Sequence, residues 1–263
     1  MKVMDNPVEA MKDDVPKIKI HAGFYNYLYS RPTSQGEDQL YLPPTKCEII
    51  LDQVIKLLRE HPGYRLYSTG HSLGAALSTV FAFEAACLSR RDIPKPVTCI
   101  NFASPKVGNL HFRKAFAYLE RKGAIQLVRV VNYFDPVPRV PLRAYSNDFY
   151  FLCRLSNTYT HVGFKIEMKK GRKLRVAHTR FFDSWWAYFC FVAKNYIRLI
   201  FHVAYLCTGG YLGIKVLRYH SCLKYYTLVR ANEDDLQNLN LDDMCDTIMQ
   251  GNLRKTWIRN EEE

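Results

Sequence analysis

The stretch Gly70-His71-Ser72-Leu73-Gly74 has the pattern G-x-S-x-G. A serine held this way suits a nucleophile carried on a tight strand-to-helix turn. The turn lifts the hydroxyl clear of a sheet, and the helix start places backbone N–H groups and the positive end of a dipole beside it. The flanking sequence fits that context. Tyr64–Thr69 reads as a strand and Leu73–Arg90 as a long helix rich in Ala, Leu and Phe. The small residues Gly70 and Gly74 are expected to relieve crowding in the turn. The backbone N–H of Leu73 is the candidate oxyanion donor.

A serine hydroxyl is a weak nucleophile until a histidine takes its proton, and the histidine needs an acid to hold its tautomer. In hydrolases built on this kind of turn the chain order is serine, then acid, then histidine. Asp135, in Asn132-Tyr133-Phe134-Asp135-Pro136-Val137-Pro138, follows a strand-like run and is the first candidate acid; Asp148 is the second. Four histidines come later: His161, His178, His202 and His220. His202 lies within an apolar stretch, as a packed or interfacial residue would. His178 adjoins a basic run and is expected to face solvent. Order alone leaves both His161 and His220 open as the base.

The elements that must position these groups alternate. Lys17–Ile20 is a short β-like run. Thr45–Glu60 reads as a helix, with Ile49, Ile50, Val54, Leu57 and Leu58 at helical spacing and Thr45 with Glu48 in capping-box form. His61-Pro62-Gly63 stops it. Val97–Phe102 and Gln126–Tyr133 are apolar runs suited to buried parallel strands, with Asn109–Lys122 a helix between them. Alternating strands and helices predict an α/β fold with a mostly parallel sheet flanked by helices. Lys169, Lys170, Arg172, Lys173 and Arg175 surround Gly171 as the tip of a hairpin, either a solvated turn or a contact for anionic lipid.

Composition sets outer bounds. A chain of 263 residues, 48% hydrophobic and 24% charged, is long enough for a full core and excludes wholesale disorder. The net charge is +12, but residues 232–263 hold nine acids and three bases, so the rest carries +18. Such a body favours anionic surfaces; no recognition motif supports nucleic acid. The eight cysteines form no C-x-x-C and predict free thiols, with no metal site and no cofactor. The first twenty residues contain no apolar core of a signal peptide, which leads to an expectation of a cytoplasmic, peripherally membrane-associated protein.

Several motifs together resemble the class 3 lipase family, the fungal triacylglycerol-lipase-like α/β-hydrolases. His21-Ala22-Gly23-Phe24 is similar to that family's H-x-G-F strand, and His61 to Tyr64 followed by Thr69 to Leu77 to its helix end and nucleophile elbow. Phe102 to Asn109 resembles its G-x-P-R-V-G-N segment. Asp135 to Pro141 resembles the D-x-V-P-R-x-P acid loop, and Thr160-His161-Val162-Gly163 the H-V-G strand. The resemblance implies an α/β-hydrolase fold, with Ser72 as nucleophile, Asp135 as acid, His220 as base and His161 structural. It implies a lipid ester substrate and hydrolysis of acylglycerol ester bonds. A phospholipase or acyltransferase with the same triad is the alternative within enzymes.

Two features depart from the family. Its F-R-G-S/T-like loop, which supplies an oxyanion donor ahead of H-x-G-F, has no counterpart in the twenty residues before His21. A truncated start, a rebuilt oxyanion hole or a lipid-surface-binding pseudoenzyme would each account for that. The second departure is a hydrophobic block over 181–213 that precedes His220. Within it Lys194 and Arg198 interrupt any long apolar run, which disfavours a simple span. With Trp185 and Trp186 nearby, the block suits either packing on the enzyme or contact with a membrane or lipid-droplet surface. The expected organisation is a hydrolase domain over 15–230, including that block, and an acidic tail over 231–263.

Overall fold

The computed structural model describes residues 1–15, 17–31, 42–89, 91–141, 158–172, 174–178, 218–240 and 243. Strands β1 (Lys2–Asp5) and β2 (Lys17–Ile20) form an antiparallel pair. Helices α1 (Ala22–Tyr29) and α2 (Lys46–Glu60) follow, then β3 (Tyr67–His71), α3 (Leu73–Cys87), β4 (Val97–Phe102), α4 (Leu110–Arg121) and β5 (Ile125–Asn132). Strands β6 (Phe164–Met168) and β7 (Arg175–His178) precede α5 (Cys222–Arg230) and α6 (Glu233–Gln237). The main sheet has the order β3-β4-β5-β6-β7, with the first four strands parallel and β7 antiparallel.

Side chains along a strand alternate between the two faces of its sheet, and β5 feeds two cores this way. Ile125 and Leu127 enter the larger one, with Phe24 and Leu28 of α1, Cys47 of α2 and Phe112 and Phe116 of α4. Val128 and Val130 enter the second, with Phe164, Ile166 and Met168 of β6 and Tyr225 and Leu228 of α5. Helix α3 is apolar almost all round, as a helix buried on every side must be; its Ala75, Ala76, Val80, Ala82, Phe83 and Ala85 are fully buried. Phe83 packs edge-on to Phe112 at 4.9 Å between ring centres.

The alternation read from the sequence is present, with local differences. The strand placed at Tyr64–Thr69 runs Tyr67–His71. Thr45 caps α2 in a complete capping box, yet Ile49, Ile50 and Leu57 are exposed while Leu51, Val54, Ile55 and Leu58 pack on the core. His21-Ala22-Gly23-Phe24 is a helix start, not a strand. His21 is the N-cap of α1, and its Nδ1 accepts the Gly23 N–H at 3.2 Å. Thr160-His161-Val162-Gly163 likewise precedes β6, tied by the Thr160 N–H to the Gly108 carbonyl at 2.8 Å. His178 does not face solvent: its side chain is 14% exposed and its Nε2 meets Glu120 at 3.3 Å.

The basic run does form the turn of an antiparallel hairpin, β6–β7, with Gly171 at φ 71°. Val8 and Val15 are buried in the larger core and Leu236 and Leu239 pack against the second, so the packed unit reaches ahead of residue 15 and past residue 230. Of the described cysteines, Cys47, Cys87, Cys99 and Cys222 are free thiols; Cys47 and Cys99 are buried and Cys222 is exposed. Asp148, His202 and the 181–213 block lie outside the described residues. Among the described residues no helix is long and apolar enough to cross a membrane.

Candidate active site

The parallel strands finish together. His71 pairs with Phe102, Phe102 with Val130, and Asn132 with Met168. Every loop leaving β3, β4, β5 and β6 therefore lies along one edge, where open α/β sheets place ligands.

Ser72 stands at the turn from β3 into α3 with φ 57° and ψ −120°. A left-handed conformation is costly for a residue with a Cβ and marks a constrained position. Its N–H donates to the Phe102 carbonyl at 3.0 Å, and its carbonyl accepts from Ala75 and Ala76 at 3.1 and 3.3 Å. Gly70 cannot carry a side chain: a Cβ there would overlap the Gly74 carbonyl group and stand 2.7 Å from the Ala75 nitrogen. Gly74 differs from expectation, because a Cβ on it would meet nothing within 4 Å. The crowding in the turn involves the Gly74 backbone, not room for its own side chain. The Leu73 N–H begins α3 beside Ser72 and has no hydrogen bond to any described residue.

The Ser72 hydroxyl is 2.8 Å from His220 Nε2, and His220 Nδ1 is 2.9 Å from Asp135 Oδ2. With Nδ1–H donating to the carboxylate, Nε2 is left as the acceptor of the serine proton. Asp135 is fully buried and His220 is 18% exposed at its side chain. The carboxylate is completely partnered. Oδ1 accepts the Val137 N–H at 2.9 Å, and Oδ2 also accepts the Tyr225 hydroxyl at 2.7 Å. The Tyr225 oxygen in turn accepts the Asn132 N–H at 3.0 Å, while Asn132 Nδ2 donates to the Tyr219 carbonyl at 2.9 Å. Asn132, the last residue of β5, thus ties the acid loop to the residue before His220. Burial and the Asp135 charge push the Tyr225 phenol far up, so it remains a donor.

Order along the chain allowed a second histidine, and the structure gives it other work. His161 Nε2 donates to the Pro138 carbonyl at 2.6 Å, under the acid loop. Burial first, then the charges of Arg129 and Lys106, hold its pKa well below the usual value and the ring neutral. Both cations are themselves buried. Arg129 donates from Nε to the Val162 carbonyl at 2.8 Å, and burial with Arg129 nearby pushes Lys106 down to about 8.

Sequence reasoning missed two residues. Tyr225 lies five positions after His220 on α5 but carries no local signal for contact with Asp135. His71, although inside the motif, had no role assigned. Its ring centre is 4.8 Å from that of His220 and 5.6 Å from that of Tyr225, edge-on to the tyrosine. Burial and the neighbouring His220 lower its pKa, so a neutral ring packs beside His220.

Exposed apolar side chains stand close in the chain to each of the three groups Ser72, Asp135 and His220. Leu73 is 51% exposed, Phe134 42% and Leu223 74%. Phe134 packs between Tyr133, edge-on to it, and Tyr219, tilted against it, each at 5.1 Å between ring centres. No group of His, Cys, Asp and Glu that could hold a metal ion occurs among the described residues.

Residues 1–145, more than half of the chain, match the family model described as Lipase (class 3). The chain is similar to the chloroplastic galactolipase DONGLE of Arabidopsis thaliana, 32% identical over 58% of this chain and 33% of that protein. It is 33% identical to phospholipase A1-IIgamma of Arabidopsis thaliana over 54% of this chain and 34% of the relative. It therefore spans about a third of the length of the curated relatives it matches. Among solved structures, the triacylglyceride lipase of Rhizomucor miehei superposes with a TM-score of 0.41 at 22% identity, covering 62% of this chain and 50% of that one.

Proposed function

We propose, for a chain that belongs to the class 3 lipase family, that it is a serine ester hydrolase of glycerolipids. Ser72 is the nucleophile, His220 the general base and Asp135 the acid that orients it. The observation that carries this reading is the relay from the Ser72 hydroxyl to His220 at 2.8 Å and on to Asp135 at 2.9 Å. In the reaction, His220 Nε2 takes the proton as Ser72 Oγ attacks the ester carbonyl. The oxyanion develops beside the Leu73 N–H at the start of α3. His220 then protonates the leaving alcohol, and water releases the acyl group from Ser72 by the reverse sequence.

The names of the relatives, galactolipase and phospholipase A1, favour polar glycerolipids over triacylglycerol as the substrate class. The apolar mouth formed by Leu73, Phe134 and Leu223 supports a long acyl chain at the site. Substrates of this kind are held in bilayers or droplets, so the protein works at a lipid surface as a peripheral binder. From sequence, Trp185, Trp186, Lys194 and Arg198 of the 181–213 block belong to that contact. We read the chain as one hydrolase unit containing that block, followed by an acidic tail.

The test is fatty-acid release from phosphatidylcholine vesicles, galactolipid vesicles and a triacylglycerol emulsion, by the parent and by Ser72→Ala. The reading requires release from at least one polar lipid by the parent and none by the variant. Release that survives Ser72→Ala refutes it.

A further inference from the structure

The basic hairpin has a place in the fold that its sequence did not disclose. Because β6 runs parallel to β5, with Met168 opposite Asn132, the turn after Met168 leaves the sheet at the edge that carries Asp135 and Ser72. Three strand spacings, about 14 Å across the sheet, separate β3 from β6.

The tip is also fastened to the site mouth. The Tyr133 N–H donates to the Met168 carbonyl at 2.9 Å. Lys169 Nζ lies 4.5 Å from the Tyr133 ring centre and 5.1 Å from that of Phe134. Phe134 in turn packs against Tyr219, next to His220. Beyond Lys169, Lys170 and Arg172 are exposed, and Arg175 is 71% exposed with, among the described residues, a 3.6 Å contact to Glu167. Glu167 is already paired with Lys165 at 2.8 Å. One edge thus carries a cluster of cations beside exposed Leu73, Phe134 and Leu223.

We propose that the β6–β7 hairpin tip, through Lys169, Lys170, Arg172 and Arg175, is a docking surface for anionic lipid that seats the mouth of the Ser72 site on the membrane. The proposal rests on the glycerolipid reading above and adds a location and a headgroup charge to it. Charge complementarity selects the partner: clustered cations near a membrane respond to its negative surface potential, and that attraction fades within a Debye length of about 8–10 Å. The apolar residues alongside supply contact that salt does not weaken. A tip pinned to Phe134 by Lys169 fixes the angle at which the mouth meets the lipid.

The experiment is co-sedimentation of the full chain with vesicles of phosphatidylcholine alone or phosphatidylcholine mixed with phosphatidylglycerol, at low and high salt. The parent is expected to favour the anionic vesicles at low salt. Lys170→Gln with Arg172→Gln is expected to weaken that binding about thirtyfold, from about 1 kcal/mol for each cation near the surface, while hydrolysis of a soluble short-chain ester is unchanged. The control pair is Lys56→Gln with Arg91→Gln, at the opposite end of the sheet, where it should have little effect. No preference for anionic vesicles, or equal loss in both pairs, would overturn the proposal, the latter by reducing it to net charge. Failure of the parent to hydrolyse the soluble ester would count against the hydrolase reading alone, because sedimentation reads docking without turnover.

Discussion

Tyr225 and His220 share one oxygen: Asp135 Oδ2 accepts the tyrosine hydroxyl at 2.7 Å and the histidine Nδ1 at 2.9 Å. A buried carboxylate is stable only when its lone pairs are used. Here α5 supplies a second donor, and the same hydroxyl accepts the Asn132 N–H. The acid is thereby held by the strand before it, the loop after it and a helix 90 residues later.

Tyr225→Phe removes that donor and leaves the Asn132 N–H unsatisfied. A hydrogen bond to a charged group is worth about 1.5–3 kcal/mol. The variant is therefore expected to lose about ten- to a hundredfold in kcat and to unfold more easily by about 1–3 kcal/mol, measured by steady-state kinetics and urea titration. Unchanged kcat would show that Asp135 needs no support from α5.

The two candidate histidines separate by different readouts. His220→Ala should lower kcat/KM by several orders of magnitude with little change in stability. His161→Ala should chiefly cost stability, about 1–3 kcal/mol, because the Pro138 carbonyl loses its donor. The opposite pattern in kinetics and denaturant titration would transfer the base to His161.

His161 also predicts how stability depends on pH. Its folded pKa lies well below the ordinary value of 6.5, so below pH 6.5 the unfolded chain takes up a proton that the folded chain refuses. Stability at this site is complete above that pH and falls as pH drops, by up to about 1.4 kcal/mol per unit, until the folded pKa is reached. Urea titrations at successive pH values should show a slope between pH 6.5 and 5 that is shallower in His161→Gln. An equal slope in parent and variant would show that His161 does not carry it.

The two motif glycines should part company. Gly70→Ala drives a Cβ into the Gly74 carbonyl and is expected to cost several kcal/mol or prevent folding. Gly74→Ala meets open space in a helix and should leave stability unchanged or raise it by up to about 1 kcal/mol. Thermal unfolding of both variants checks this, and similar losses in the two would contradict it.

Much of this arrangement was legible because it is local. The G-x-S-x-G turn, the Thr45 capping box and the strand Val97–Phe102 each depend on neighbours within a few residues. What was not legible depends on distance along the chain. The choice of His220 over His161 rested on family resemblance, since spacing cannot say which histidine a fold returns to Ser72, 148 positions away. Tyr225 had no signal for the same reason. His178 was misjudged from its basic neighbours, because β7 turns its ring inward to Glu120. The role of the hairpin edge depends on β6 being parallel to β5, which residue types at the turn do not encode.

A fluorophosphonate probe reacts with an activated serine, and peptide mapping of the labelled protein locates it. A single adduct is expected on the peptide containing Ser72, absent in Ser72→Ala and strongly slowed in His220→Ala. Labelling of the parent at another residue, or undiminished labelling of Ser72→Ala, would contradict it.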